Sequence, residues 1–250
     1  MEEVLSSDRA GLYARTEGLS SAEARAYGRA LCQRCAGVPL QHLTGHQPFR
    51  GLDLAVRPGV FVPRPETEIL VEVALDAIVD VARPVVVDVG TGTGAVALSI
   101  KKERPDAAVF ATDLSPVAAA LARSNAAGAG LDVSVLEGDL LFPLPAYLSG
   151  RVTLVVSNPP YVSPAEFAGL PADVLADPEP ALDGGSGGIQ VHERLARESP
   201  AWLRPGGFLV VEIGPRQAER VSALFDERFE EVRVLPDLAG RDRVVVGRMR

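Results

Sequence analysis

The chain carries an unusual strand ending at Asn158-Pro159-Pro160-Tyr161, within the stretch VTLVVSNPPYVSP. Asn158 offers a side-chain carbonyl that can accept a hydrogen bond from a planar –NH2 group. The backbone carbonyl of Pro159 can accept the second N–H. Because proline has a fixed φ and no N–H of its own, this carbonyl is held in place and meets no competing donor. With Tyr161 packing its ring against the planar group, the four residues predict a clamp for an amide or an exocyclic amine.

A glycine-rich loop lies upstream of the clamp, in VVVDVGTGTGAVALSI. Gly90, Gly92 and Gly94 follow a β-branched run and precede a helical one, where glycines let the backbone turn sharply and approach a ligand closely. Gly90-x-Gly92-x-x-Ala95 also satisfies the permissive dinucleotide fingerprint. Asp113, at the end of the next strand, suits the ribose of NAD and that of S-adenosylmethionine (SAM) equally. An NAD oxidoreductase and a SAM enzyme therefore both remain open on these residues.

Three further features favour SAM. The alternating glycine spacing, Asp88 before the loop and EGD after the third strand resemble the Rossmann-type SAM-dependent methyltransferases. That resemblance implies that the methionine part of SAM lies against the loop residues Gly90, Thr91, Gly92, Thr93 and Gly94. It also implies that Asp113 binds the ribose, that Asp139 or Leu140 borders the adenine, and that S-adenosylhomocysteine is the product. A larger aromatic residue often stands at the position of Leu140, so we expect weaker stacking here.

The clamp suits methyl transfer because a planar amino nitrogen is a poor nucleophile. Its lone pair is delocalised, so the site can only hold both N–H groups, aim the lone pair at the methyl donor and stabilise the developing charge. Asn158, beside the cofactor as well as the acceptor, is the central residue of this prediction. The tetrapeptide is typical of adenine-N6 and of glutamine methyltransferases. A non-enzymatic SAM or nucleotide sensor would leave it unexplained.

The elements that must position these residues alternate between β-prone and helical runs from Thr67 onward. Five apolar runs, from PVVVDVG to GGFLVVEIG, indicate parallel strands covered on both faces by the intervening helices. We expect one helix to continue from residue 66 almost to Pro84, and RQAERVSALFDERF to be helical throughout. EEVRVLPD and DRVVVGRM should add an antiparallel edge strand. The predicted fold class is α/β, a doubly wound, mostly parallel seven-stranded sheet of Rossmann-like type.

Residues ahead of this sheet are expected to form a small helical region and a hairpin-like connector, the latter at residues 46–62. The stretch PLQHLTGHQPFRGLDLAVRPGVFVPRPETEILVE is similar to the linker of the peptide chain release factor glutamine methyltransferases, the HemK/PrmC family. The matching residues are Gln41, Gly45, Phe49, Gly51 and Pro63-Arg64-Pro65-Glu66-Thr67-Glu68. The segment DPEPALDGGSGG, residues 177–188, is also similar to that family, and the likeness extends from about residue 20 to the end.

This resemblance implies methyl transfer from SAM to the side-chain amide nitrogen of the glutamine in the Gly-Gly-Gln motif of bacterial release factors. It implies a helical substrate-docking domain at residues 1–40, a β-hairpin linker at 41–66 and a methyltransferase domain at 67–250. The docking domain is short for the family. Arg64 and Glu66 would line the cofactor mouth.

From the residues alone, Arg64 and Glu66 equally fit an exposed polar pair, and Glu179-Pro180 fits an ordinary loop. His192, on the helix that follows the 162–188 insertion, has no suitably spaced partner, and we expect it to be exposed to solvent.

Charge and composition argue against a nucleic-acid-binding protein and against a membrane protein. The formal charge of −8 disfavours nucleic-acid binding, so we expect no direct nucleic-acid contact and place an adenine-N6 nucleic-acid methyltransferase second. No apolar run approaches the roughly 20 residues of a membrane-spanning helix, and MEEVLSSDRAG lacks a signal core. The predicted location is the cytoplasm, without membrane contact.

One cysteine and histidine pattern could hold zinc. Cys32, Cys35, His42 and His46 form C-x2-C-x6-H-x3-H, but the gap of six is shorter than that of a zinc finger. The cysteines lie in a run that is helical without a metal. We therefore predict that they pack as small helix residues and that the protein has no metal site.

Overall fold

The N-terminal part of the chain contains short helices and a hairpin. In the computed structural model, which describes residue 5 and residues 7–250, these elements are α1 (Arg9–Ala14), α2 (Ser21–Cys35), α3 (Leu40–Thr44), β1 (His46–Phe49) and β2 (Leu52–Ala55). The start of α2 is a capping box: the Ser20 hydroxyl accepts from the Glu23 N–H, and the Glu23 carboxylate accepts from the Ser20 N–H. The predicted hairpin is confirmed over residues 46–55, and residues 56–66 continue without a strand.

The packing predicted for the two cysteines is wrong. Cys32 and Cys35 are both exposed thiols, because α2 buries none of its residues and has no core of its own to fill. Among the residues that the structure describes, no group of three or more metal-ligating side chains comes together.

The central sheet has seven strands. They are β3 (Val85–Val89), β4 (Ala108–Asp113), β5 (Val133–Glu137), β6 (Val152–Ser157), β7 (Leu203–Glu212), β8 (Phe229–Pro236) and β9 (Asp242–Met249). Their order is β5-β4-β3-β6-β7-β9-β8, and the first five are parallel. The antiparallel strand is β9, which lies between β7 and β8, so the edge strand is β8. The predicted fold class is confirmed, with the antiparallel strand one place further inside than expected.

Helices cover both faces of this sheet. They are α4 (Thr67–Ala77), α5 (Ala95–Glu103), α6 (Pro116–Ala129), α7 (Glu179–Leu182), α8 (Gln190–Glu198) and α9 (Ala218–Ser222). On β3, Val86 packs into the apolar cluster on one face while Val87 and Val89 pack into the cluster on the other. The double coverage inferred from the β-branched run is therefore confirmed. None of the described helices is long and apolar enough to span a bilayer.

Two helices end earlier than the sequence pattern predicts. Helix α4 ends at Ala77 because Ile78 leaves helical geometry at φ −115° and its side chain turns into the core. Helix α9 ends at Ser222, where the chain turns so that the rings of Phe225 and Phe229 meet at 5.0 Å between centroids. In both cases burial of an apolar side chain outweighs the helical periodicity.

The hairpin is fastened to the helices of the sheet domain through its turn. Arg50 and Gly51 form this turn at φ 43° and 68°. The Arg50 backbone N–H donates to the Glu68 carboxylate at 3.0 Å, and its guanidinium pairs with Glu103 on α5 at 2.7 Å. The Lys102 ammonium donates to the Gly51 carbonyl at 2.7 Å. These contacts hold the connector against α4 and α5.

Asn125 on α6 joins the hairpin to the glycine-rich loop. Its Nδ2 donates to the carbonyls of Ala55 at 3.1 Å and Thr93 at 2.9 Å, and its Oδ1 accepts from the Ala55 N–H at 3.0 Å. The side chain is 7% exposed, so these three backbone groups would be costly to leave unpaired. One buried amide thus fixes the distance between the connector and the loop.

Replacing Asn125 with Ala should lower the free energy of unfolding by about 1–3 kcal/mol, because it leaves two carbonyls and one N–H without partners. Urea unfolding followed by circular dichroism measures this. Ser124→Ala, an exposed position on the same helix, is the matched control and should stay within about 0.5 kcal/mol of the wild type. Equal stabilities for the two variants would contradict the assigned role.

Candidate functional site

The predicted site residues gather at the carboxyl ends of the parallel strands. The Gly90 and Thr91 N–H groups donate to the Thr112 carbonyl at 2.8 and 3.0 Å, which joins the ends of β3 and β4. The Ser157 hydroxyl donates to the Val89 carbonyl at 2.7 Å, which joins the end of β6 to that of β3. The glycine-rich loop and the Asn-Pro-Pro-Tyr segment are therefore neighbours, as the topology requires of an open α/β sheet.

The glycine-rich loop has a backbone that only glycine adopts readily. Gly90, Gly92 and Gly94 have φ of 72°, 58° and 88°. A Cβ added to Gly90 or Gly92 would meet no protein atom within 4 Å, whereas one added to Gly94 would lie 3.1 Å from Leu98. The first two glycines thus border open space in which a ligand can approach the backbone, and the third allows α5 to pack.

Asp113 holds the same loop from the end of β4. Its two carboxylate oxygens accept from the backbone N–H groups of Gly92 and Ser115, each at 2.8 Å. Burial raises the pKa of this carboxyl, and the two N–H bonds oppose that rise. Because each oxygen has two lone pairs, the carboxylate keeps acceptor capacity for hydroxyl groups of a ligand.

Asp88 lies beneath the loop and faces inward. Its Oδ2 accepts from the Thr91 hydroxyl at 2.7 Å and from the Ala97 N–H at 3.1 Å. Burial raises the pKa of this carboxyl to about 7. The acid that marked the loop in the sequence therefore ties the loop to the first turn of α5.

Asp139 and Leu140 lie near Asp113, because the Gly138 N–H donates to the Asp113 carbonyl at 2.8 Å. The Arg194 guanidinium on α8 binds both Asp139 oxygens at 2.9 and 2.8 Å and lowers the pKa of that carboxyl. Leu140 has φ 43°, an uncommon value for a residue with a side chain. The segment after β5 thus reaches the same edge of the sheet as the loop.

Asn158 is oriented by Thr67, whose role no sequence motif indicates. Its Nδ2 donates to the Thr67 hydroxyl at 3.1 Å, at the first turn of α4. No described residue donates to its Oδ1 or to the Pro159 carbonyl, so both acceptors proposed for a planar –NH2 are available. The clamp for a planar –NH2 stays a prediction.

Tyr161 is held through its backbone carbonyl. The Gln217 Nε2 donates to the Tyr161 carbonyl at 2.8 Å and to that of Gly188 at 3.1 Å. A Cβ on Gly188, which has φ 74°, would lie 2.4 Å from the Tyr161 carbonyl oxygen. Burial raises the pKa of the phenol to about 12, with the Glu212 charge as the next cause. The glycines of the 177–188 segment therefore let the chain pack directly under the tetrapeptide.

Three buried polar residues below the clamp were missed in the sequence: Glu212, Arg243 and Asp237. Glu212 is 2% exposed, and its carboxylate lies beside the Thr67 hydroxyl and the Tyr161 phenol, although its Oε2 has no direct partner among the described residues. Arg243 on β9 donates to Asp237 at 3.2 Å. Two features of the sequence could have indicated these buried polar residues: an acid within the apolar run FLVVEIG, and an arginine directly before the apolar run VVVG.

The linker residues are tied to the insertion after the tetrapeptide. Arg64 forms an ion pair with Asp177, whose side chain is fully buried, and its guanidinium lies 5.4 Å from the centre of the Phe61 ring. Asp177 also accepts from the Val62 N–H at 3.0 Å. Arg64 is therefore a paired residue rather than a free surface charge. Glu179-Pro180, which as a sequence also fits an ordinary loop, forms the start of the short helix α7.

The exposure predicted for His192 is wrong. The side chain is 2% exposed, and its Nε2 donates to the Glu212 backbone carbonyl at 2.8 Å. His192 shares the buried face of α8 with Leu195 and Ala196. Its helical spacing from these two apolar residues could have predicted its burial. Burial lowers the pKa of the imidazole to about 4.

A groove of about 610 Å³ lies away from this edge, between the end of α4 and strands β7 to β9. None of the residues predicted for the site lines it. The candidate site is instead the open surface formed by the loop after β3, the ends of β4 and β5, and the tetrapeptide after β6.

Solved structures share this fold. A ribosomal protein L11 methylase from Lactobacillus delbrueckii subsp. bulgaricus matches with a TM-score of 0.55 at 21% identity, over 78% of this chain and 84% of that one. A 16S rRNA methyltransferase from T. thermophilus, solved with AdoMet and guanosine, matches with a TM-score of 0.60 at 20% identity, over 82% and 50%. At these identities the likeness concerns the fold alone.

Sequence comparisons are more specific. Residues 52–185 match the family "Methyltransferase small domain", and residues 1–45 match "PrmC N-terminal domain". The release factor glutamine methyltransferase of Deinococcus radiodurans is 48% identical over 91% of this chain and 80% of its own length. That of Moorella thermoacetica is 43% identical over 91% and 81%. With these identities and coverages, the chain belongs to the release factor glutamine methyltransferase family.

Proposed function

We propose that this protein transfers a methyl group from SAM to the side-chain amide nitrogen of the glutamine in the Gly-Gly-Gln motif of bacterial peptide chain release factors, and so modulates translation termination. The observation that carries this proposal is the state of Asn158. Its amide nitrogen is engaged by Thr67, while its carbonyl oxygen faces no donor beside the glycine-rich loop. A glutamine –NH2 group offers the two donors that this oxygen and the Pro159 carbonyl require.

The residues present fit SAM. Gly90 and Gly92 leave open space against their backbone, where Gly90, Thr91, Gly92, Thr93 and Gly94 would hold the methionine part. Asp113 has free lone pairs for ribose hydroxyls, and Asp139 with Leu140 would border the adenine. When bound, SAM supplies a methyl group on a sulfonium, and as the glutamine nitrogen forms the new C–N bond the C–S bond breaks, S-adenosylhomocysteine leaves and one amide proton passes to solvent.

The chain contributes position and charge stabilisation to this reaction. Asn158 and the Pro159 carbonyl would each accept one N–H of the substrate amide, which leaves its lone pair directed at the methyl donor. As positive charge builds on the nitrogen, these two oxygens strengthen their hydrogen bonds without moving. Pro160 keeps the turn rigid, and the half-buried Tyr161 ring would form the wall against which the planar amide lies.

The rest of the chain serves the protein substrate in this proposal. Residues 1–40 would dock the release factor, residues 41–66 would connect this helical part to the site, and residues 67–250 would carry out the transfer. The Arg64–Asp177 pair supports the connection, because it binds the linker to the segment that follows the clamp. We propose a cytoplasmic enzyme without nucleic-acid contact.

The proposal is tested by incubating the purified protein with SAM and a bacterial release factor, followed by peptide mass spectrometry. We expect a gain of one methyl group on the Gly-Gly-Gln glutamine. A release factor with that glutamine replaced by alanine is the control and should remain unmodified. Methylation of adenine in nucleic acid, with an unmodified release factor, would instead support the adenine-N6 alternative.

Replacing Asp113 with Asn should weaken SAM binding about 10- to 100-fold, as expected when a hydrogen bond to a charged group is lost. Isothermal titration calorimetry with SAM measures the change. Asp132→Asn, an exposed position at the start of the next strand, is the matched control and should bind as the wild type does. Unchanged affinity in Asp113→Asn would remove Asp113 from the cofactor site.

Replacing Asn158 with Ala should reduce kcat on the release factor by about 100-fold or more, because an acceptor that meets developing charge is lost. SAM affinity should stay within about threefold, since the glycine-rich loop and Asp113 are intact. Ser149→Ala, at an exposed position three residues ahead of β6, is the control and should keep full activity. Retention of turnover in Asn158→Ala would contradict the clamp.

A further inference from the structure

The two prolines of the tetrapeptide have no hydrogen bonds of their own to hold them. Neither Pro159 nor Pro160 has an N–H, and no described residue donates to the carbonyl of either. The chain ahead of them is fixed by β6 and by the Ser157 hydroxyl, which donates to the Val89 carbonyl at 2.7 Å. The position of the Pro159 carbonyl therefore depends on this anchor and on whatever holds the chain beyond the prolines, from Tyr161 onward.

Beyond the prolines, the chain is tied to the end of the 177–188 segment. The Val162 N–H donates to the Leu182 carbonyl, and the Val162 carbonyl accepts from the Gly184 N–H, each at 2.9 Å. These two bonds join the tetrapeptide to a loop rather than to the sheet. The residue that links both segments to the end of β7 is Gln217.

The amide of Gln217 binds three separate backbone segments. It lies directly ahead of α9, and its Nε2 donates to the carbonyls of Tyr161 at 2.8 Å and Gly188 at 3.1 Å. Its Oε1 accepts from the Gly214 N–H, just after β7, at 2.9 Å. The residue is 8% exposed, and both N–H groups of the amide have a partner. A reversed amide would face two carbonyl oxygens with its own oxygen, so the partners fix one orientation.

Gly188 allows these segments to meet, and its neighbour Gly187 does not take part. The two glycines have similar left-handed backbones, with φ of 74° and 68°. A Cβ on Gly188 would lie 2.4 Å from the Tyr161 carbonyl oxygen and 2.7 Å from the Gln217 Nε2. A Cβ on Gly187 would instead meet the guanidinium of Arg220, an exposed side chain, at 2.5 Å. A side chain added at residue 188 would thus displace the anchor of the tetrapeptide, whereas one at residue 187 would not.

We infer that Gln217 and Gly188 are positioning residues for methyl transfer, which fix the backbone of Tyr161 and, through the rigid prolines, the carbonyl of Pro159. The inference rests on the proposed function, since that carbonyl would accept one N–H of the substrate amide. A shift of about 1 Å in a positioning group can lower a rate about 100-fold. Neither residue bonds to the glycine-rich loop or to Asp113, so we expect kcat to depend on them and SAM affinity not to.

The first experiment measures kcat on the release factor at saturating SAM for Gln217→Met, which fills a similar volume but cannot donate to the two carbonyls. Its kcat should fall about 10- to 100-fold. Calorimetric SAM affinity should stay within about threefold, which also reports that the sheet domain is folded. KM for the release factor should change less than kcat, because residues 1–40 would still dock it.

Arg220→Ala is the control for Gln217→Met. The Arg220 guanidinium lies one helical turn further along and donates to the Gly187 carbonyl at 2.9 Å, so it holds the same segment without bonding to Tyr161. Its kcat should stay within about threefold of the wild type, as expected for an exposed side chain away from the acceptors.

The second experiment compares Gly188→Ala with Gly187→Ala in the same assay. Alanine strains both left-handed backbones to a similar degree, so general destabilisation is matched. Gly188→Ala should lose about 10- to 100-fold in kcat, because its Cβ would push the Tyr161 carbonyl away. Gly187→Ala should stay within about threefold, since the exposed Arg220 side chain is free to move. This pair decides the question if Gln217→Met does not fold.

The third experiment combines Gln217→Met with Gly188→Ala. Both changes act on the Tyr161 carbonyl, so the double variant should lose about as much kcat as the more impaired single variant. Two independent effects would multiply instead. A multiplied loss would show that the two residues do not share one contact and would overturn the inference.

The outcomes separate this inference from the proposed function. If the wild-type protein leaves the release factor glutamine unmethylated, the proposed function fails and the inference fails with it. If the wild type is active and Gln217→Met or Gly188→Ala keeps full kcat, the positioning role is wrong while the proposed function stands. A loss of SAM affinity parallel to that of kcat, or an equal loss of kcat in Arg220→Ala, would also refute the role, because the residues would then only support the fold.

Discussion

Burial of carboxylates under the carboxyl edge of the sheet is the constraint on which the site depends. Asp88 and Glu212 are both almost fully buried. Removing a carboxylate from water costs free energy unless hydrogen-bond donors of the protein replace the lost water molecules. For Asp88 the donors are the Thr91 hydroxyl and the Ala97 N–H. Each of these belongs to a segment that the proposed ligands would touch or to the helix directly behind it. The groups that solvate this acid are thus groups that shape the site.

Asp113 and Asn125 also hold the glycine-rich loop through hydrogen bonds. Asp113 accepts from the Gly92 N–H of the loop and from the Ser115 N–H at the N-cap of α6 before any ligand arrives, and Asn125 donates to the Thr93 carbonyl from behind. The loop is therefore shaped by the protein rather than by the ligand. Such preorganisation means that binding energy need not be used to order the loop.

Much of this arrangement could be predicted from the sequence, and the misses have a common physical cause. Strand order, the glycine-rich loop and the clamp follow from local signals: β-branched runs, alternating glycines and two prolines. The exposed cysteines and the burial of His192 and Glu212 depend on which faces meet in three dimensions. Periodicity can indicate a buried face, as it does for His192 with Leu195, but it cannot name the partner across the gap. Val62 and Asp177, which are 115 positions apart in the chain, show how distant such partners can be in sequence.

The interior position of β9 bears on how the protein is made. The strand at Asp242–Met249 is the last of the seven to be synthesised, yet it fills the gap between β7 and β8 and contributes Arg243 beneath the clamp. On the ribosome, β8 has no partner until β9 emerges, and an unpaired strand edge invites misassembly. Pairing of β8 within the sheet, and the placement of Arg243 beneath the clamp, therefore wait until β9 has been made.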